Sequence, residues 1–273
     1  MIVWKRSMKM LDKNRIYEGN HLSLLPSIDN DSIDLTITSP PYDHLRMYNG
    51  YEFNFKPLAK ELYRITKEGG VVVWVVGDAT INGSETGTSF RQALFFMDLF
   101  SMGIGFNLHD TMIYAKGGQG AVGSNLAYLQ DFEYMFIFTK GKIQTFHPLI
   151  DRKNVCSAKE RTNMGHRRKD GSKKGTRKVQ LKEYGKRFNI WTYHECKTRK
   201  EHPAVFPEQL AEDHILSWSN EGDLVLDPMC GSGTTCKMAH LNNRAFIGID
   251  ISNSYCNMAR RSISAIPTNL SRF

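Results

Sequence analysis

The chain has 273 residues, of which 41% are hydrophobic and 23% charged, and carries a formal net charge of +8. That length and apolar fraction are enough for one large domain, or a domain with a lobe, around a substantial core. The purest apolar run, residues 71–76, is far short of the roughly 20 residues a membrane helix needs. The opening MIVWKRSMKM lacks the apolar stretch of a secretory signal. Five cysteines without a Cys-x-x-Cys pair exclude a disulfide framework and a Cys-rich zinc site. The chain therefore reads as soluble and cytoplasmic, with no metal site.

Short apolar runs alternate with stretches of helical period. In chain order the sequence predicts strands over 15–18 and 34–38, then a helix over 56–67. That helix has Pro57 near its start, Leu58, Leu62 and Ile65 on one face, and Gly69 as its stop. A strand over 71–76 follows. The next helix, 90–102, aligns Phe90, Leu94 and Met97 and ends at Gly103. Strands over 106–114 and 132–138 come next, then a segment with a different balance. Residues 140–187 hold 16 Lys/Arg and 4 Asp/Glu, whereas the remainder holds 20 and 24. Such a block is either a lobe that meets a polyanion or a solvated loop, and charge alone leaves both open. Beyond it lie a helix over 207–219 (Ala211, Ile215, Trp218), strands over 224–226 and 245–249, and a helix over 253–266 (Tyr255, Met258, Ala259, Ile263). This alternation defines an α/β class, a mostly parallel sheet flanked by helices, whose ligands bind beyond the carboxyl ends of the strands.

Two strand ends carry chemistry. The strand at 34–38 runs into Ser39-Pro40-Pro41-Tyr42. Two prolines stiffen this turn and remove two N–H donors. What remains is an edge of acceptors, the carbonyls and the Ser39 hydroxyl, beside an aromatic face. Such an edge suits a planar base with an exocyclic amine, and an ordinary tight turn is the competing reading. The strand at 224–226 runs through Asp227 and Pro228 into Gly231-Ser-Gly233-Thr234-Thr235, a turn that opens a helix. Glycines allow close approach of a ligand, and a helix N-terminus favours a carboxylate or phosphate. Cys236 stands where the dinucleotide fingerprint has its third glycine, which argues against a nicotinamide oxidoreductase. Asp250, 17 residues after Gly233 at the end of the next strand, is spaced to hold ribose hydroxyls, so the pair of signals points to an adenosine-containing cofactor.

These residues resemble the amino-methyltransferases that modify exocyclic amines of DNA bases with S-adenosyl-L-methionine. Thr38-Ser-Pro-Pro-Tyr42 resembles the catalytic motif of that family, and Asp227-Pro-Met-Cys-Gly-Ser-Gly-Thr-Thr235 its cofactor loop. Phe246-Ile-Gly-Ile-Asp250 resembles the ribose-binding strand. His202-Pro-Ala-Val-Phe206-Pro207-Glu208 is similar to the segment that closes over the methionine end of the cofactor. Phe132-Glu-Tyr-Met-Phe-Ile-Phe-Thr-Lys140 is similar to a strand near the target pocket. The motif order matches the beta group, which implies a Rossmann-like methyltransferase fold with permuted motifs. Residues 1–140 and 191–273 would be the catalytic and cofactor-binding parts of the methyltransferase domain, and 141–190 the basic target-recognition region. Asn20 stands where family members often carry an acid near the cofactor adenine.

The resemblance implies methyl transfer without a metal or a covalent intermediate. Ser39 and the Pro40 carbonyl would accept the amine hydrogens while Tyr42 stacks on the base. Asp227, Pro228, Gly231, Gly233, Thr234, Thr235, Asp250, Phe206 and Pro207 would hold the cofactor. Arg167, Arg168, Lys169, Lys173, Lys174, Arg177 and Lys178 would grip double-stranded DNA. For His44 a DNA contact or a plain surface position is preferred over a proton acceptor. For Trp191 and Tyr193 packing is preferred over lining the base pocket. Cys230, Cys236 and Cys256 read as buried thiols without chemistry. Lys116-Gly-Gly-Gln-Gly120 reads as a flexible loop after a strand, either one that orders on DNA or cofactor or a mobile surface loop. Ser39, where adenine-modifying relatives carry Asp or Asn, points to cytosine N4, as does Phe206 in place of a Lys. Adenine N6, an RNA substrate and a catalytically silent DNA-binding subunit are the alternatives. A homodimer and a cognate restriction endonuclease are partners the resemblance admits.

Overall fold

The computed structural model describes residues 10–41, 53–118, 122–124, 127–155, 160–163, 169–172, 177–180, 182–193 and 207–267. Eight strands form one sheet: β1 (Arg15–Glu18), β2 (Ile33–Thr38), β3 (Thr66–Val76), β4 (Asn107–Ala115), β5 (Phe132–Thr139), β6 (Ile190–Thr192), β7 (Leu224–Asp227) and β8 (Ala245–Asp250). Their spatial order is β1-β8-β7-β2-β3-β5-β4-β6. Every pairing is parallel except those β5 makes with β3 and β4. Where both faces are covered the strands read as apolar runs, as in residues 71–76 of β3 and 224–226 of β7.

The covering helices are α1 (Phe55–Ile65), α2 (Thr88–Met97), α3 (Glu208–Trp218), α4 (Thr234–Leu241) and α5 (Asn253–Ser264). Alternation along β5 separates the two layers. Phe136 joins Trp74, Phe96, Leu58 and Leu62 in the core beneath α1 and α2, while its neighbour Met135 meets His214 of α3 at 3.2 Å. Phe96 is the centre of the first layer, with its ring 4.7–5.7 Å from those of Phe55, Trp74, Phe106 and Phe138. The Trp74 indole donates to Gln92 Oε1 across the same interface at 2.8 Å, so the one polar atom of that tryptophan is satisfied in the core.

Three expectations are corrected. The helix over 56–67 ends at Ile65, and the chain passes straight into β3. The Thr66 hydroxyl closes the last turn on Leu62 O at 2.6 Å, and Gly69 (φ +80°) lies within β3 rather than stopping the helix. The helix over 90–102 spans Thr88–Met97 and presents the opposite face: Ala93 and Phe96 are buried, whereas Phe90, Leu94 and Met97 are exposed. The turn after it holds Ser101 and Met102 at positive φ, which ends the helix early. Strand β6, three residues long, has no counterpart in the sequence reading.

The chain divides into a larger unit, residues 1–147 with 190–273, and a smaller one, 148–189. The smaller unit contains two antiparallel ribbons, Arg152–Lys153 with Tyr184–Gly185 and Glu160–Asn163 with Arg177–Gln180. No helix among the described residues is long and apolar enough to cross a membrane.

Candidate active site

Strands β2 and β7 are parallel neighbours, Leu35 opposite Val225 and Thr36 opposite Leu226. Their carboxyl ends therefore lie side by side. The Ser39-Pro40-Pro41 turn leaves one and the Asp227-to-Gly233 turn leaves the other. The Thr38 hydroxyl donates to Asp227 Oδ1 at 2.9 Å, a buried bond between residues 189 positions apart in the chain. The two motifs that sequence reading treats separately are joined at their roots.

Asp227 is fully enclosed. Burial pushes its carboxyl up to about 6, against the lowering effect of hydrogen bonds from Thr38, the Met229 N–H and Thr235, and the Asp250 charge raises it further. Beyond it the chain reverses through Gly231 (φ +50°) and Gly233 (φ +84°), and Gly233 stands at the N-cap of α4. A Cβ on Gly233 would lie 2.6 Å from Ala259 Cβ of α5. The left-handed backbone and the close packing both require glycine there. Asp250, at the end of β8, fixes the turn from outside: its two oxygens accept from Gly231 N (2.9 Å) and Ser252 N (2.8 Å).

The residues at this end of the sheet fit S-adenosylmethionine. A glycine turn without acidic side chains in the first turn of α4 leads into a helix N-terminus, which suits the cofactor's carboxylate. Carboxylates at the ends of β7 and β8 flank it. Pro207 is the N-cap of α3, and Lys237 of α4 binds Glu208 at 2.8 Å, tying α3 to α4 beside the turn. Asn20 is committed locally: its Oδ1 accepts Leu22 N at 2.8 Å and caps the helical turn His21–Leu24.

Of the other candidate positions, Ser39 and Pro41 are half-buried and Pro40 is buried. Tyr42, His44, Phe206, Arg167, Arg168, Lys173 and Lys174 lie outside the described residues. Lys169 is exposed, and Arg177 and Lys178 lie in a ribbon strand of the smaller unit. Trp191 is buried with its ring 4.7 Å from that of His214, and the Tyr193 hydroxyl donates to Asp213 Oδ2 at 2.5 Å; both are packing residues. Cys230, Cys236 and Cys256 are buried thiols. The hydrogen-bonding neighbour Cys236 first, and burial second, push Cys230 up, and burial pushes Cys256 up to about 11, so neither thiol is activated. Lys116 pairs with Glu133 at 2.6 Å and Gly118 N donates to both Asp131 oxygens at 2.8 Å, which anchors the start of that loop.

Sequence reading missed Asp78. It follows β3, the next strand beyond β2, and is buried. It accepts Ser89 N at 2.9 Å and the Ser89 hydroxyl, so it caps α2 from a distance. Val76 opposes Tyr134 of β5, which brings the start of the antiparallel strand to the same end of the sheet. Burial first, and the Asp78 and Glu85 charges second, push the Tyr134 hydroxyl up. A strand ending in Gly77-Asp78 was the available signal.

A sheet of this order, with a glycine turn after one central strand and a proline turn after its neighbour, defines an S-adenosylmethionine-dependent methyltransferase. Residues 33–261 match the DNA methylase family of N6 and N4 enzymes, and the chain belongs to it. The chain is 58% identical to the orphan methyltransferase M.BamHII of Bacillus amyloliquefaciens over 87% of its own length and 91% of that protein. Among solved structures, the PvuII cytosine-N4-specific DNA methyltransferase superposes with a TM-score of 0.66 at 19% identity, covering 96% of this chain and 90% of that one. A putative DNA modification methylase of Thermus thermophilus, solved in complex with S-adenosyl-L-methionine, gives 0.60 at 21% identity, covering 92% and 97%.

Proposed function

We propose that this DNA methyltransferase modifies the exocyclic N4 amine of cytosine in double-stranded DNA, in restriction–modification or phage self-protection. The observation that carries the site is the Thr38–Asp227 hydrogen bond, which ties the acceptor-rich turn to the glycine turn. Ser39 in the motif Thr38-Ser-Pro-Pro-Tyr42, and the likeness to a cytosine-N4-specific enzyme, support the choice of base.

Bound S-adenosylmethionine supplies an electrophilic methyl group on a sulfonium. The glycine turn and α4 N-terminus would hold its methionine end together with Phe206 and Pro207, and Asp250 would hold the ribose. Ser39 and the Pro40 carbonyl accept the two amine hydrogens and pull the nitrogen lone pair out of conjugation with the base. Tyr42 stacks on the flipped ring. Positioning and exclusion of water provide the acceleration. The small unit, with 14 Lys/Arg and 4 Asp/Glu, contacts the phosphates through Arg167, Arg168, Lys169, Lys173, Lys174, Arg177 and Lys178.

DNA modified by the enzyme and digested to nucleosides is expected to yield N4-methyldeoxycytidine. N6-methyldeoxyadenosine would overturn the base, and faster transfer to RNA than to duplex DNA would overturn the substrate. Ser39→Ala and Tyr42→Ala should each lower kcat by about 10²-fold. Full activity in either variant removes the site assignment, and cofactor binding without turnover in the unaltered enzyme would make it a silent DNA-binding subunit.

A further inference from the structure

Among the described basic side chains of the smaller unit, Lys153, Lys169, Lys182 and Lys186 are exposed, whereas Arg152 and Arg187 are half-buried. Arg152 stands in the ribbon Arg152–Lys153/Tyr184–Gly185. Its Nε donates to Lys186 O at 2.8 Å. Its guanidinium carbon lies 4.4 Å from the centroid of the Phe188 ring. Opposite in the ribbon is Gly185, where a Cβ would fall 2.6 Å from Arg152 Nη2. The absent side chain is the space the guanidinium occupies. The adjacent acid does not take it up: Asp151 pairs with Arg187, which holds the Asp151 carboxyl below its usual range. Among the described residues, the two terminal nitrogens of Arg152 meet no acceptor.

We propose that Arg152 is a specificity-determining residue that reads a guanine edge in the DNA target, positioned by Phe188 and Gly185. The guanidinium, held against an aromatic ring with its Nε already satisfied, is a planar fork that keeps its two terminal nitrogens for a ligand. That is the geometry that matches guanine O6 and N7 in the major groove. Phosphates do not need such fixing, because mobile lysines serve them as well, and this unit has Lys153, Lys169 and Lys182 exposed for that purpose. Phe188 is itself 65% exposed. Solvated alone, so large a ring gains little; as a platform for the cation it has a role. The assignment rests on the reading of residues 148–189 as the part that meets DNA.

The test maps methylated sites by sequencing DNA exposed to the enzyme and to Arg152→Ala, Arg152→Lys, Phe188→Ala and Phe188→Tyr. Arg152→Ala should lose the preference for guanine at one position of the recognised sequence, with kcat/KM on the original site down about ten- to a hundredfold. Arg152→Lys should not restore it. Phe188→Ala should relax the same position in part, and Phe188→Tyr, which keeps the platform, should recover it. An unchanged site preference in Arg152→Ala overturns the proposal, as does a loss uniform across sequences with a salt slope reduced by about one, which marks a phosphate contact. The triple change Lys153→Gln, Lys169→Gln and Lys182→Gln separates the two levels. If it weakens DNA binding while Arg152→Ala leaves the site unchanged, only the proposal fails. If it leaves DNA affinity unchanged as well, the reading of this unit fails.

Discussion

Two buried residues at the carboxyl end of the sheet titrate in opposite directions. Asp227 is raised from 3.8 to about 6 by burial. Between those values the folded chain holds the extra proton, so the Asp227 contribution to stability falls as pH rises, by about 3 kcal/mol in all. His21, on the helical turn after β1, is lowered from 6.5 to about 4 by burial. There the unfolded chain binds the proton first, and the His21 contribution rises with pH over that window by about 3 kcal/mol. From pH 4 to 6 the two nearly cancel. Removing one should unmask the other: His21→Gln should make stability fall as pH rises through this range, and Asp227→Asn should make it rise. Urea denaturation at pH 4, 5 and 6 checks the prediction, and equal slopes in the two variants would contradict it. Neither group shows its titration in the sequence. Asp227 is legible as a motif residue, but its burial is not, nor is its hydrogen bond from Thr38, which is 189 positions away.

Elements were legible where one pattern decided them. Residues 71–76 of β3 read as an unbroken apolar run, residues 132–138 of β5 as one interrupted by Glu133, and α1 buries the face its period predicts, Leu58, Leu62 and Ile65. Helix α2 was legible as a helix and not as to its face, because apolar residues occupy both sides of it. Tertiary partners made the choice: Phe96 meets four aromatic rings and Gln92 satisfies the Trp74 indole, leaving Phe90, Leu94 and Met97 outside. Strand β6 is too short to show a period, and Asp78 is invisible as a cap because its helix begins ten residues later. The orientation of α2 gives a direct comparison. Phe96→Ala should cost about 3–5 kcal/mol, whereas Leu94→Lys, at a position 65% exposed, should change stability by about 0.5 kcal/mol or less. Gly233→Ala combines a left-handed backbone with a 2.6 Å approach to Ala259 and should cost about 2 kcal/mol or more. Chemical denaturation of the three variants measures all of these; similar losses for Phe96→Ala and Leu94→Lys would mean that α2 buries the other face.

The whole molecule consists of a body, residues 1–147 with 190–273, and an insertion, residues 148–189. Among the described residues, every member of the principal core cluster belongs to the larger unit. Both ends of the break are anchored within the body: His147 N donates to Ser217 O at 2.8 Å, and Ile190 opposes Ile113 in the sheet. Most of the basic excess, by contrast, lies in the insertion. Replacing 148–189 with a flexible Gly/Ser linker should therefore leave a folded protein whose thermal midpoint still rises on adding S-adenosylmethionine. DNA binding should fail in a particular way. Each lost phosphate contact removes about 0.9 from the slope of log affinity against log salt, so the residual binding should be weak and nearly independent of salt. Thermal unfolding with and without cofactor, and fluorescence anisotropy of a labelled duplex between about 50 and 200 mM salt, test the two halves separately. A variant that no longer responds to the cofactor would show that the insertion supports the body, and a salt slope equal to that of the intact enzyme would show that the body, not the insertion, grips the phosphates.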